Sequence, residues 1–296
     1  MTSSRPAARV GVLGGSGLYA LEKLSEWREC DVTTPFGEPS DRIIIGMLGD
    51  VSVAFLARHG REHRLMPTEI NYRANIYAMK TLGVEFLLSA SAVGSLREDI
   101  APLDVLVPDQ FIDRTRHRAD TFFGDGVVAH VSMAEPVCRQ LAASSAAAAK
   151  QAGARVHEGG TYVCMEGPQF STRAESHMYR SWGAAVIGMT NLQEARLARE
   201  AEICYATLAL VTDYDCWRDD EDHVTVETVV ERLKTNAERA RDAVSALAQN
   251  LPAQRKCPCA RALDHAIITP RSAMPAETIE RLAPIVGRVL GGGAGD

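Results

Sequence analysis

The sequence predicts an α/β fold, a sheet with helices on its faces, and three observations carry that expectation. Short apolar, β-rich runs recur along the chain. Segments with apolar residues at helical spacing alternate with them. Turn-forming residues such as Gly14-Gly15, Gly49-Asp50 and Gly83 separate the two kinds.

In chain order, Ala8 to Leu13 reads as a short buried strand running into Gly14-Gly15-Ser16-Gly17, where glycine permits turns closed to other residues. Ile43 to Leu48 and Val51 to Ala57 flank Gly49-Asp50 as a hairpin that delivers Arg58-His59 at its end. Thr68, after Pro67, is placed to cap a helix through Leu82, whose Ile70, Ala74, Tyr77 and Ala78 fall at helical spacing. A strand over Glu85 to Ser91 follows, then a strand Asp104 to Pro108, an Ala-rich helix near Glu135 to Ala152 and a strand near Thr161. The series continues with a helix Arg173 to Ser181, a strand near Ala185 and a helix Gln193 to Glu200. It closes with a strand Ile203 to Thr212 and a long helix Thr225 to Gln249. Without an internal repeat or a long linker, residues 1–296 are expected to form a single domain, with Gly291 to Asp296 a frayed tail.

A chain of 296 residues, 46% hydrophobic and 24% charged, holds enough apolar material for a packed core. The net charge of −6 argues against a nucleic-acid partner, which would call for clustered Lys and Arg, though a few local cations still suffice for one small anion. The nearly apolar run Ile203 to Val211 is too short to cross a bilayer, and the first residues, Met1 to Arg5, do not resemble a signal peptide. No membrane partner and a cytoplasmic location are therefore expected. Of seven cysteines, Cys30, Cys138, Cys164, Cys204 and Cys216 read as free thiols behaving as small hydrophobes. Cys257-Pro258-Cys259 has one intervening residue where zinc and thioredoxin signatures have two. It reads as a structural or redox-sensitive pair ahead of a metal site, and no metal is expected.

Four segments offer chemistry, each with a plainer reading beside it. Gly15-x-Gly17-x-x-Ala20 fits a relaxed dinucleotide fingerprint, but Thr33-Thr34-Pro35-Phe36-Gly37 stands where an acidic strand end is wanted. What survives is a loop whose amides and Ser16 hydroxyl can hold an anion, or a simple glycine turn. Arg58-His59 sets a permanent charge beside a titratable ring at a strand end, or is an ordinary surface pair. Ser89 to Ser95 ends a strand in small residues that can complete an oxyanion cradle, or simply pack closely. Asp213 and Asp215 emerge together from an apolar strand, where α/β sheets bind ligands; alternatively one of them caps a turn.

Taken together the segments resemble the 5'-methylthioadenosine phosphorylases of the trimeric purine nucleoside phosphorylase class. The resemblance runs from Gly14-Gly15-Ser16-Gly17 to the Val226 helix. It includes Ala57-Arg58-His59-Gly60, Asn71-Tyr72-Arg73-Ala74-Asn75, Gly94-Ser95-Leu96-Arg97-Glu98, Glu166-Gly167-Pro168 and Thr212-Asp213-Tyr214-Asp215-Cys216-Trp217. It implies a purine nucleoside phosphorylase-like fold with a central mixed, twisted sheet. It also implies a phosphate site of Ser16, Arg58, His59, Ser91, Ala92 and Thr190, with Met189 against the ribose and Phe170 and Ile187 beside the base. Asp213 and Asp215 would be the catalytic pair reading the base edge. Val226, Val229 and Val230 would form the 5'-methylthio pocket, with His130 supplied by a neighbouring subunit of a homotrimer. One position that is Asn in some relatives is Gly188 here, so no side-chain contact is carried over to it. The implied reaction splits 5'-methylthioadenosine with inorganic phosphate as co-substrate and no cofactor. The rivals are a 6-oxopurine phosphorylase and a nucleoside-binding protein without turnover.

Overall fold

The computed structural model describes residues 7–15, 18, 23–218 and 226–291, with the side chains of 226–231 and 233 outside the description. Among the described residues eleven strands join in one mixed sheet flanked by seven α-helices. The early strands are β1 (Val10–Gly14), β2 (Ser25–Cys30), β3 (Ile43–Leu48), β4 (Val51–Ala57) and β5 (Phe86–Ser95). The later ones are β6 (Val105–Val107), β7 (Gln110–Arg114), β8 (Val156–Glu158), β9 (Thr161–Met165), β10 (Ala184–Gly188) and β11 (Cys204–Asp213). The order β2-β3-β4-β1-β5-β10-β9-β7 makes one path, and β11 leaves it to pair with β5 and β6.

The sheet is covered on both faces because its central strands bury alternate residues against different helices. Val10, Val12, Phe86, Leu88, Cys204, Ala206 and Leu208 join a core with α2 (Arg139–Gln151) and α5 (Val226–Asn250). Their neighbours Leu13, Leu87, Ile203 and Tyr205 join an opposite core. That second core is built with α1 (Tyr72–Thr81), α4 (Asn191–Glu200) and α7 (Ala283–Leu290). Helices α3 (Arg173–Ser181) and α6 (Ala276–Arg281) complete the set.

The expected hairpin and the alternation of strands and helices are present, with shifts at several ends. Helix α1 starts at Tyr72, capped by the Asn71 side chain accepting from Ala74 N at 3.1 Å, rather than at Thr68. The Thr68 hydroxyl is turned to Glu166 instead, 3.1 Å from Oε1. Strand β5 continues past Ser91 to Ser95, because β10 and the upper half of β11 pair with its small-residue end. The edge strand β2 has an exposed pattern with no apolar alternation, and helices α6 and α7 follow the last element expected from the sequence. The tail from 292 to 296 lies outside the described residues.

Candidate active site

The sheet forks at the end of β5. Gly94 is in register with Ile187 of β10 on one side and with Asp213 of β11 on the other. Strand β5 is buried throughout except at Ser91, Ala92 and Gly94, which are half-buried and mark the opening between the two branches. A Cβ on Gly94 would stand 3.0 Å from Asp213 Oδ1, 3.2 Å from Asp215 Cβ and 3.3 Å from Ile187 Cγ2. The missing side chain is what lets the two aspartates and the predicted base-flanking isoleucine converge.

Asp213 is buried, and both its oxygens accept hydrogen bonds: Oδ2 from Thr212 Oγ1 at 2.6 Å and Oδ1 from Asp215 N at 2.7 Å. Burial nevertheless raises its pKa, and burial raises that of Asp215 as well. Asp215 sits in the left-handed region with φ 54°, a conformation Asp tolerates better than most residues. The turn is pinned from several sides: Trp217 Nε1 donates to Ser95 O at 2.8 Å, and Cys216 Sγ to Ser171 O at 3.2 Å. The second bond ties the aspartate turn to the segment carrying Phe170, which is 48% exposed while Ile187 is buried.

Two of the anion-binding candidates, Arg58 and Ser91, are joined through Ser89 and Asn191. Arg58 N donates to Gly14 O at 3.0 Å, which sets the start of the Ser16 loop beside the end of β4. Ser16 itself lies outside the described residues. Arg58 is buried and is not the free fork the sequence suggests. Its Nε donates to Glu194 Oε1 at 2.6 Å, Nη2 to Ser89 Oγ at 2.5 Å and Nη1 to Ala90 O at 2.8 Å. Burial opposes its charge, but the Glu194 carboxylate outweighs it and the guanidinium pKa rises. Ser91 Oγ donates to Asn191 Oδ1 at 2.6 Å, and Asn191 Nδ2 is shared among Ser89, Tyr205 and Thr207. Thr190, also buried, stands at the N-cap of α4 but its side chain makes no cap hydrogen bond. The hydroxyl is therefore not committed to the helix, whose N-terminal amides and dipole favour an anion.

His59 Nδ1 lies 2.8 Å from Leu65 O, and a carbonyl can only accept, so the proton is on Nδ1 and Nε2 carries a lone pair. Burial pushes the ring's pKa down to about 3, which keeps it neutral near pH 7.

Met189 packs over Gly167, where a Cβ would meet its sulfur at 2.5 Å. Its carbonyl accepts from Arg118, which sequence reasoning missed. The Arg118 side chain is 1% exposed and also bonds Glu166 O at 2.6 Å, Gln193 Oε1 at 3.0 Å and Tyr72 OH at 3.2 Å. One guanidinium thus locks the ends of β9 and β10 to α1 and α4. Nothing in the local pattern around Arg118 distinguishes it from Arg114 or Arg116; only the fold does.

The remaining assignments fall unevenly. Gly188 has no room for a side chain, since a Cβ there would stand 2.0 Å from the Tyr162 hydroxyl. The side chains of Val226, Val229 and Val230 lie outside the description. Their helix is anchored to the end of β11, with Arg232 Nη1 donating to Thr212 O at 2.6 Å and Asn236 Nδ2 to Val211 O at 3.0 Å. His130 is exposed, and its backbone N–H donates to Ala266 O at 2.8 Å. A cavity of about 780 Å³ lined by Thr33, Thr34, Arg42, Arg61 and Arg64 contains none of the predicted site residues. The seven cysteines are all free, but Cys138 and Cys204 are not dispersed hydrophobes: with Cys257 and Cys259 they form one cluster.

Comparison with known proteins identifies the family. Residues 9–249 match the Phosphorylase superfamily. An S-methyl-5'-thioadenosine phosphorylase of Geobacter sulfurreducens is 58% identical, covering 94% of this chain and 98% of its own. A crystal structure of a methylthioadenosine phosphorylase from an antarctic soil metagenomic library superposes with a TM-score of 0.90 at 52% identity, covering 95% of this chain and 99% of its own. A serine-to-threonine variant of the adenosine/methylthioadenosine phosphorylase of Schistosoma mansoni, in complex with methylthioadenosine, gives a TM-score of 0.78 at 36% identity, covering 84% and 93%. The chain belongs to the phosphorylase superfamily and, within it, to the S-methyl-5'-thioadenosine phosphorylase family.

Proposed function

We propose that the protein cleaves 5'-methylthioadenosine with inorganic phosphate, releasing adenine and 5-methylthioribose 1-phosphate. The observation that carries this reading is the pair of buried Asp213 and half-buried Asp215 at the fork of the sheet, at the end of the strand that pairs with Ser91 and Ala92 of β5. Phosphate is held by the Ser16 loop, Ser91, Ala92, Thr190 and the field of Arg58. It is thereby brought into near-attack position on C1', where its charge stabilises an oxocarbenium-like ribose. With its proton on Nδ1, His59 accepts at Nε2, which suits a protonated phosphate oxygen.

Adenine leaves poorly as an anion, and a protonated Asp213 shares its proton with N7. Thr212 permits this: its hydroxyl has a second acceptor, Val93 O at 3.2 Å, to which it turns when Asp213 holds a proton. Asp215 accepts from the 6-amino group. Phe170 and Ile187 flank the base, Met189 the ribose, and Val226, Val229 and Val230 the 5'-methylthio group.

The working unit is proposed to be a homotrimer in which His130 completes a neighbour's 5' pocket. Supporting this, Val128 and Ile268 beside His130 are apolar yet 43% and 60% exposed. The seven free thiols support a reducing compartment, the cytoplasm, and the products suit purine and methionine salvage. The reaction requires no cofactor beyond the co-substrate, and neither nucleic acid nor membrane is a partner.

The test is base release from 5'-methylthioadenosine, adenosine and inosine, with and without phosphate. Adenine release that requires phosphate and is fastest from 5'-methylthioadenosine is expected; release without phosphate, or a preference for inosine, overturns the reading.

A further inference from the structure

Four cysteine sulfurs from three distant parts of the chain, none used by the reaction, lie within 4.8 Å of one another. Cys138 is the N-cap residue of α2, Cys204 opens β11, and Cys257 and Cys259 flank Pro258 at the start of the C-terminal segment. The convergence follows from the fold. Cys204 belongs to the alternate set of β11 residues that faces α2 and α5. Cys138 N donates to Tyr205 O at 2.8 Å, which zips the start of α2 onto the same strand.

We propose that these four thiols form a structural zinc site. A zinc–thiolate bond of about 2.3 Å in a tetrahedron separates its sulfurs by about 3.8 Å. The cluster brackets that value, with Cys204 and Cys257 at 3.3 Å and every pair inside 4.8 Å. Four thiolates in tetrahedral array select zinc or iron among common metals, and a closed set with no carboxylate or imidazole is the structural zinc pattern. Cys138, Cys204 and Cys259 are buried, and the half-buried Cys257 provides the route by which an ion enters.

On binding, the thiol protons leave to solvent, and four thiolates with one divalent ion carry a formal charge of about −2. Arg199 answers that charge, with Nη1 3.7 Å from Cys259 Sγ while its Nη2 bonds Glu135 O.

This revises the expectation of no metal, which rested on the CxC spacing alone. The other two ligands lie 53 and more residues away in sequence and reach the pair only through the sheet. Zinc at this position staples the C-terminal segment to the sheet. That segment bridges Ile267 to Ala129 and holds His130 N at Ala266 O, so the staple also steadies the residue assigned to a neighbour's pocket.

The experiment is elemental analysis of the untagged native protein, beside the Cys257→Ser variant, with cobalt(II) reconstitution of chelator-treated protein. One zinc per chain, its loss in Cys257→Ser, and the visible bands of a tetrahedral cobalt tetrathiolate are expected. A protein free of zinc that also fails to give the cobalt spectrum overturns the proposal. So does intact-mass detection of disulfides among these four cysteines in freshly isolated protein, or iron in place of zinc. Because Cys257 is half-buried at the rim, a folded variant is expected; should it aggregate, the metal content and cobalt spectrum of the unaltered chain still decide.

Discussion

Gly94 and Asp213 are paired in register across β5 and β11, and a methyl group on Gly94 would stand 3.0 Å from the Asp213 carboxylate. The same methyl would press on Asp215 and Ile187. Gly94→Ala is therefore expected to leave a folded protein, destabilised by about 1–3 kcal/mol, whose turnover falls about tenfold or more as the aspartates are displaced. Thermal unfolding and turnover are the two measurements. A variant with wild-type turnover would mean that the fork does not set the position of the carboxylates.

The Arg58–Glu194 pair is buried on both sides, with side chains 3% and 1% exposed. Removing only the arginine strands a carboxylate in the core, so Arg58→Ala is expected to lose about 3–5 kcal/mol of stability in addition to any effect on phosphate. Glu194→Gln in the same chain should return part of it. Chemical unfolding of the single and double variants checks this. If Arg58→Ala unfolds like the wild type, the arginine's role is confined to the ligand.

Glu200 is a pH-sensitive point away from the reaction. Burial raises its pKa from 4.5 to about 7, although it accepts from Phe122 N at 2.7 Å and Thr121 Oγ1 at 2.7 Å. The folded chain then holds more protons than the unfolded one between those values. Its contribution is complete below about pH 4.5 and lost as pH rises through about 7, by up to about 3 kcal/mol. Glu200→Gln can accept from Phe122 N with its amide oxygen and donate its NH2 to Thr121 Oγ1, and has no proton to lose. The stability of the variant relative to the wild type should therefore increase from pH 5 to pH 8; a constant difference contradicts the assignment.

Asp215 is expected to set the choice of base. Asn tolerates the left-handed backbone found there, φ 54°, so Asp215→Asn changes the polarity of the edge more than its shape. A donor opposite the 6-position should move the adenosine-to-inosine specificity ratio toward inosine, by about tenfold on the usual value of a hydrogen bond to a buried site. An unchanged ratio places the 6-amino group elsewhere.

What the sequence discloses and what it hides divide along physical lines. Buried strands with glycine punctuation, such as Val10 to Gly14 and Ile43 to Ala57, announce themselves because pattern and turn chemistry are local. The start of helix α1 is ambiguous locally because Thr68 and Asn71 are both residue types that suit an N-cap; in the fold Thr68 bonds Glu166, 98 residues away, and Asn71 caps the helix. Arg58 and His59 stand out in the sequence as a charged and titratable pair at a strand end, but the burial that ties one to Glu194 and neutralises the other does not. Arg118 carries no local signature, and of the thiol cluster only the Cys257-Pro258-Cys259 spacing does, since the remaining partners come from elements that only the folded sheet assembles.

A proton held on Asp213 is proposed to leave with the purine. Burial raises the pKa of this carboxyl, and Asn in its place keeps the shape and a donor toward N7 while removing the transferable proton. The deciding measurement is the turnover of Asp213→Asn on 5'-methylthioadenosine at saturating phosphate, beside its nucleoside affinity. Turnover is expected to fall by about 10²–10⁴ with a smaller change in affinity. Near-normal turnover in the folded variant would contradict the account.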